Sequence, residues 1–534
     1  MLSLPKHNLS KHQTSIGGKS NGLTRSRKIS QWFFFALFVY ILWSTTYPLT
    51  GKLAPETYFQ ADPLIMFGTA LSERLMLSGL IWAGGMVLAG LLLGRFFCGW
   101  ICPLGTVIDT VGSCRPRQGS EEQNKRWRRQ RGLKFLLLAV IAVFALAGIQ
   151  IAWVLDPLVL MARFVSLNFI PTVTLALDTC MMLLIRGFKL YGPVYDFYNI
   201  LRSSVLGVKV SYFSNAGVIF AAFVLVSGST LLAARWWCRL VCPLGALYGC
   251  LSRVAWLRRT VKDCVFCGQC RPACPTDAIK PDMSYDPAEC ILCMECVYAC
   301  PAHITRFELA GWTSRGRAAV ATSRPQNEKG ISRRSFLVLL ASGVGAAMVS
   351  RRQRQPAVRA DSILIRPPGA LEEPEFLNRC IRCGNCMKVC PTNGLQPLLF
   401  YPSIDALWTP QLAADIGYCE YNCTQCGTVC PTGAIPRLDL KRKQQTKLGI
   451  AKIDRHLCIP YAKKKSCIVC EEHCPVPQKA IKLTRDVVDG VSVLKPLVDE
   501  KLCIGCGICQ TKCPVGPVRA IKMFAFGSDR TPAG

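Results

Sequence analysis

Three observations set the fold class that the sequence predicts. The first half of the chain contains four apolar stretches, each near the length a helix needs to cross a membrane. Two of them end in the same short cysteine-proline motif, and six cysteine runs of a common pattern fill the remainder. Together they predict a membrane protein: a four-helix transmembrane bundle of two parallel two-helix repeats, joined to cysteine-rich α+β domains. Composition agrees, since 534 residues exceed one core, 51% are apolar and only 18% are charged. An odd 31 cysteines in so long a chain argue against a disulfide scaffold. None of the five histidines follows a CxxC or lies in an apolar stretch, which excludes c-type haem attachment and a membrane b-type haem. The net charge of +31 comes from basic residues beside apolar spans, where cytoplasmic loops retain them, so nucleic acid is set aside as a partner.

Residues 1–30, with Lys6, Lys11, Lys19, Arg25, Arg27 and Lys28, read as a disordered cytoplasmic tail. Residues 31–259 are the expected membrane domain, with spans at 32–48, 76–97, 133–155 and about 216–237. The stretch 157–190 is apolar but carries Arg163, Pro171 and Asp178, and reads as a partly interfacial outer loop. The loop 98–132 carries seven basic residues, from Arg115 to Arg131, against only Lys52 and Arg74 in 49–75. That asymmetry places the N-terminus and the 98–132 loop in the cytoplasm.

The membrane domain is internally duplicated. Asp62-Pro-Leu follows the first span and Asp156-Pro-Leu the third. Cys98-Gly-Trp-Ile-Cys102-Pro closes the second span, and Cys238-Arg-Leu-Val-Cys242-Pro the fourth. Asp62 and Asp156, expected in outer loops at the membrane edge, are candidates to accept a proton during redox chemistry. A continuing helix would put Cys98 and Cys102 on one face, and Cys238 and Cys242 likewise, until Pro103 and Pro243 end it. The four thiols are expected to meet at the cytoplasmic end as one candidate site, which binds a metal or cluster, forms redox-active disulfides, or packs.

Residues 260–310 hold two full CxxCxxCxxxCP runs, the pattern of a bacterial ferredoxin-like [4Fe–4S] domain. Three close cysteines bind one cubane and the fourth reaches the neighbouring one, so the expected ligand sets are Cys264, Cys267, Cys270 with Cys300, and Cys290, Cys293, Cys296 with Cys274. Zinc has no reason to repeat this spacing. Residues 311–360 form a linker whose Arg333-Arg334 precedes a moderately apolar run, as in a twin-arginine export signal, with a vague cleavage pattern near Ala360. Residues 361–534 carry four more motifs: Cys380, Cys383, Cys386, Cys390; Cys419, Cys423, Cys426, Cys430; Cys458, Cys467, Cys470, Cys474; and Cys503, Cys506, Cys509, Cys513. The first spacing is altered in two, and the Cys458–Cys467 insert carries Lys463, Lys464 and Lys465, a solvated loop or a dock for an acidic partner. Six cubanes are expected. Cys114, Cys180 and Cys250 are left over and read as small apolar fillers.

On these motifs, residues 1–300 resemble the NapH family of four-helix membrane ferredoxin-type proteins. Residues from about 330 onward resemble the NapG/MauM family of exported four-cluster ferredoxin-type proteins. The resemblance implies a fusion of the two that takes electrons from quinol and passes them to a periplasmic partner, such as a cytochrome or a molybdenum reductase of the nitrate-reductase kind. It implies an inner-membrane, multi-pass protein with the first ferredoxin domain cytoplasmic and the last domain periplasmic, alone or in an oligomer. By analogy with four-cluster subunits of molybdenum reductases, the C-terminal motif one would pair with four and two with three; pairing of neighbours stays open. Two other functions remain: an assembly or maintenance factor that keeps an exported metal centre reduced, and a route by which a soluble ferredoxin feeds electrons in.

Overall fold

The computed structural model describes residues 22–49, 55–75, 79–114, 121–188, 192–201, 211–261, 264–309, 364–399, 404–488 and 491–529, with a few positions between 338 and 348. Arg333, Arg334, Ala360 and most of the 1–30 tail lie outside the described residues. Residues 22–30 are described, and they are helical rather than part of a tail: the first helix is Gly22–Ser44.

Three of the expected spans are shorter as helices than as apolar stretches, while the first falls largely within the 23-residue helix Gly22–Ser44. Leu80–Leu93 stops at Gly94, whose φ of 79° breaks the helix, and Gly132–Leu146 stops just before Gly148, also at 79°. Ala216–Gly228 tightens into a 3₁₀ turn at Ser229–Leu231. A helix of 14 residues is about 21 Å long, short of the ~30 Å hydrocarbon core. Among the described residues one helix is long and apolar enough to cross a membrane, and it is the stretch expected to be an interfacial loop: Pro157–Phe188, 32 residues. Pro171 does not break it because a π-helical segment, Val165–Phe169, precedes the proline and relieves its clash with the turn before.

Both Asp-Pro-Leu segments start helices inside the domain. Asp62 caps Pro63–Glu73 and Asp156 caps Pro157–Phe164, each accepting two backbone N–H bonds at the first turn. Both carboxylates are buried inside the protein.

Two cysteine-rich modules cap opposite ends of this helical domain. The first closes with the antiparallel pair Leu257–Val261 and Thr305–Leu309. Among the described residues the second holds three antiparallel pairs, of which Ile450–Ile453 with Ile521–Phe524 brackets the last two cysteine motifs. Helix Gly22–Ser44 gives the distance between them. Near its start Arg27 lies 3.5 Å from Glu295 of the first module, while just past its end the Thr45 carbonyl accepts a bond from Lys388 Nζ of the second, 2.9 Å away. Eighteen residues of helix separate those contacts by about 27 Å.

Candidate functional site

The cysteines of the second module gather into four-cysteine cradles. Cys380, Cys383 and Cys386 line a cavity of about 360 Å³ with Cys430. Cys419, Cys423 and Cys426 line one of about 430 Å³ with Cys390. Cys458, Cys467 and Cys470 line a third, about 370 Å³, with Cys513. Cys503, Cys506 and Cys509 complete the set with Cys474, whose charge acts on Cys506. Motif one therefore pairs with two and three with four, which corrects the analogy that paired one with four and two with three. The cause is local: within each pair of neighbouring motifs the Cys-Pro turns exchange their fourth cysteines, and only 28 residues lie between Cys390 and Cys419. The two pairs touch where the Cys419 N–H donates to the Cys506 carbonyl, 2.8 Å away. The four cradles thus run in a row. The exposed Lys463–Lys465 insert lies beside the far one, between Cys458 and Cys467.

In the first module Cys274 joins Cys290, Cys293 and Cys296 electrostatically, as expected, while Cys264 and Cys267 act on Cys270. Cys300 is buried. Cys114, Cys180 and Cys250 are exposed, so the filler reading does not hold for them.

Cys98, Cys102, Cys238 and Cys242 line a single cavity of about 310 Å³ inside the helical domain. They reach it differently from the continuing helix expected. Cys98 sits on the short helix Phe96–Trp100, and Cys102 has an extended backbone and caps the next helix, Pro103–Gly112. Cys238 and Cys242 repeat this on Trp236–Leu240 and Pro243–Ser252. The symmetry extends to hydrogen bonds. Gly105 N donates to Cys102 Sγ at 3.4 Å and Gly245 N to Cys242 Sγ at 3.2 Å. Arg235 Nη1 donates to the Cys98 carbonyl at 2.9 Å and Arg95 Nη2 to the Cys238 carbonyl at 3.2 Å.

Of the two buried arginines, which the sequence reading did not assign a role, Arg95 ties the domain to the first module and Arg235 ties its two repeats together. Arg95 meets Glu289 of the first module at 3.2 Å, and Lys134 meets the same carboxylate at 2.6 Å. Arg235 meets Asp109 at 2.6 Å. Burial opposes the charged form of Asp109, but Arg235 outweighs it and holds the carboxyl below the usual aspartate range. Glu289 is likewise held low, with Lys134 and Arg95 overcoming burial. The signal available in sequence was the repeat itself, since Arg95 and Arg235 precede the two cysteine motifs at equal distance.

Asp62 and Asp156 adjoin each other, and each leaves its Oδ2 without a protein hydrogen-bond partner among the described residues. Burial, and for Asp62 the neighbouring Asp156, push both carboxyls above the usual range. Pro157, next to Asp156, lines the four-cysteine cavity.

Models of 4Fe-4S binding domains match residues 261–280, 287–306 and 496–519, and a 4Fe-4S dicluster domain model matches 379–434, the span of the first two C-terminal motifs. A further 4Fe-4S binding domain model matches 75–121 and 215–262, the two repeats of the helical domain. The methylamine utilization ferredoxin-type protein MauM of Methylorubrum extorquens is 34% identical over 210 residues, 37% of this chain and 94% of that protein. The chain belongs to the MauM/NapG family of ferredoxin-type proteins. Within that family the ferredoxin-type protein NapG of Escherichia coli is 33% identical over 36% of this chain and 84% of its own length. The ferredoxin-type protein NapF of the same organism is 29% identical over 30% of this chain and 87% of its own. No solved structure matches the chain. The MauM/NapG family accounts for about a third of the chain; the helical repeats lie beyond what these relatives explain.

Proposed function

We propose that the protein is a membrane-bound electron carrier that oxidises quinol and delivers electrons through [4Fe–4S] clusters to a redox partner outside the cytoplasm. The observation that carries this is the placement of two cysteine-rich modules at opposite ends of one helical domain. The two-motif module docks on the end bearing the basic residues, through Arg128 and Arg131 to Asp277 at 2.6 and 3.0 Å. The four-motif module docks on the other end, through Lys388, Arg163 and Asn393. The positive-inside rule puts the first end in the cytoplasm and so the second outside. Apolar side chains open to the surroundings, such as Ile81, Leu88, Leu183, Phe220 and Leu225, suit a lipid belt between the two ends.

The 24 ferredoxin-motif cysteines would hold six cubanes: three cradles of the second module each bring four cysteines around a cavity of 360 to 430 Å³ and take their fourth cysteine from a neighbouring Cys-Pro turn. Clusters bound there are one-electron carriers. The chain's residues order them in a row, exclude water from the inner ones, and present Lys463–Lys465 to an acidic partner at the far end. Quinol oxidation releases two protons as well as two electrons, and the adjoining carboxyls of Asp62 and Asp156 can hold one. The test is stopped-flow absorbance of the protein in liposomes. A quinol analogue should bleach the cluster band, and dithionite should complete it. Bleaching by dithionite alone would remove quinol from the function.

A further inference from the structure

Neither repeat of the helical domain can hold a four-thiolate cluster alone, because each buries only two cysteines: Cys98 and Cys102 in one, Cys238 and Cys242 in the other. The fold pools them. All four thiols line the same cavity, about 310 Å³ against 360 to 430 Å³ for three of the ferredoxin cradles. They are not paired as disulfides. Among the described residues no three cysteine, histidine or acidic side chains approach closely enough to share one metal ion.

The surroundings suit a cluster too. Gly105 and Gly245 aim their N–H groups at Cys102 and Cys242 sulfur, the bonds that stabilise thiolate ligands. Both glycines are required. A Cβ on Gly245 would lie 2.9 Å from Arg95 Nη2, and one on Gly105 would lie 3.0 Å from the Cys98 carbonyl oxygen. Two helices, Pro103–Gly112 and Pro243–Ser252, begin at the cavity, and the buried Arg95 and Arg235 flank it, so the site favours an anion. A thiolate-ligated cubane carries about two negative charges.

Position gives the cavity a purpose. Gly99, beside Cys98, abuts the first module so closely that a Cβ would lie 2.1 Å from the Ile291 carbonyl oxygen, between Cys290 and Cys293. On the other side, helix Pro157–Phe164 starts at the cavity and ends, about 12 Å away, where Arg163 Nε donates 3.0 Å to the Arg382 carbonyl, beside Cys383.

We propose that Cys98, Cys102, Cys238 and Cys242 together hold one additional [4Fe–4S] cluster, shared across the repeat, that links the two ferredoxin modules through the helical domain. Loading breaks four S–H bonds, forms four Fe–Sγ bonds to a preassembled [4Fe–4S] core, and releases four protons to solvent. The inference rests on the reading that the six ferredoxin motifs are loaded, and the test separates the two. Full-length protein, purified anaerobically, is assayed for iron and acid-labile sulfide and weighed by native mass spectrometry in detergent. The expected result is about 28 irons per chain, falling to about 24 in Cys98→Ala/Cys238→Ala and in Cys102→Ala/Cys242→Ala. About 24 irons in the wild type would overturn this inference and leave the six-cluster reading standing. A count far below 24 would overturn that reading, and this one with it. Should both variants fail to fold, the wild-type mass decides alone: seven cluster increments support the shared site and six refute it.

Discussion

At the residue scale the cysteine motifs are legible because metal ligation fixes residue type and spacing together. Cys264 to Cys300 could be assigned to clusters before any fold was known, and Cys274 does meet Cys290, Cys293 and Cys296. The aspartates were legible as a repeated motif but not in place. Asp-Pro-Leu reads as a loop turn, and nothing local reveals that Asp62 and Asp156 become buried helix caps facing one another. Asparagine keeps the cap oxygen that Leu158 and Val159 N–H require, yet cannot exchange a proton. Asp156→Asn should therefore preserve or raise the melting temperature, since it removes a buried like-charge pair, while slowing quinol-driven cluster reduction and leaving dithionite reduction unchanged. Equal quinol rates would exclude the pair from proton transfer. Asp109 gives a prediction of another kind. Its folded pKa lies below the unfolded value near 3.9, so the Arg235 pair stabilises fully above that pH and is lost as pH falls through the folded pKa. Asp109→Asn should cost about 1–3 kcal/mol at pH 7 by leaving the buried Arg235 short of a partner. The gap to wild type should begin to narrow only as pH falls below about 4 and close as it passes through the lower folded pKa. A gap that does not narrow at all on acidification would mean the loss is not electrostatic.

At the element scale apolar run length misled where backbone breaks intervene. Gly94 and Gly148 adopt positive φ and cut two expected spans short, and the shortened helices leave room for the segments that start at Asp62 and Asp156. Conversely, Pro171 looked like a stop and is not one, because the π-helical segment before it absorbs the proline. Single-sequence periodicity registers neither effect, since both depend on how carbonyls are redistributed in three dimensions. The pairing of motifs is likewise an element-scale property, set by where each Cys-Pro turn points. It predicts which cluster each fourth cysteine serves. Cys513→Ala should remove the cluster held by Cys458, Cys467 and Cys470, about four irons, and spare the one held by Cys503, Cys506 and Cys509. Site-resolved loss of the latter instead, read by EPR against the matching Cys474→Ala variant, would restore a different pairing.

At the scale of the whole molecule, charge asymmetry along the chain anticipated two ends, and the modules occupy them. What no local motif could show is that the four-motif module folds back onto the helical domain rather than hanging from a linker. Its contacts include Arg379 with Glu73 at 3.3 Å, Arg437 with Glu56 at 2.5 Å and Asn393 Nδ2 donating to the Tyr212 carbonyl at 2.7 Å. Glu56 and Glu73 lie in 49–75, the loop poor in basic residues, whereas Asp277 of the first module faces Arg128, Arg131 and Arg239. Each module thus meets the end whose charge complements its own side chains, which makes the two docking choices hard to exchange. On the proposed function the four-motif module lies on the outer side of the membrane. A membrane-impermeant amine reagent applied to intact spheroplasts should label the exposed Lys463, Lys464 and Lys465 and leave the exposed Lys125 unmodified until the cells are opened. Arg333→Lys with Arg334→Lys should abolish labelling of the first set if the twin arginines direct export, with the helical domain still recovered in the membrane fraction. Labelling of Lys125 in intact spheroplasts with protection of Lys463–Lys465 would invert the topology, and protection of both would place all six ferredoxin motifs in the cytoplasm.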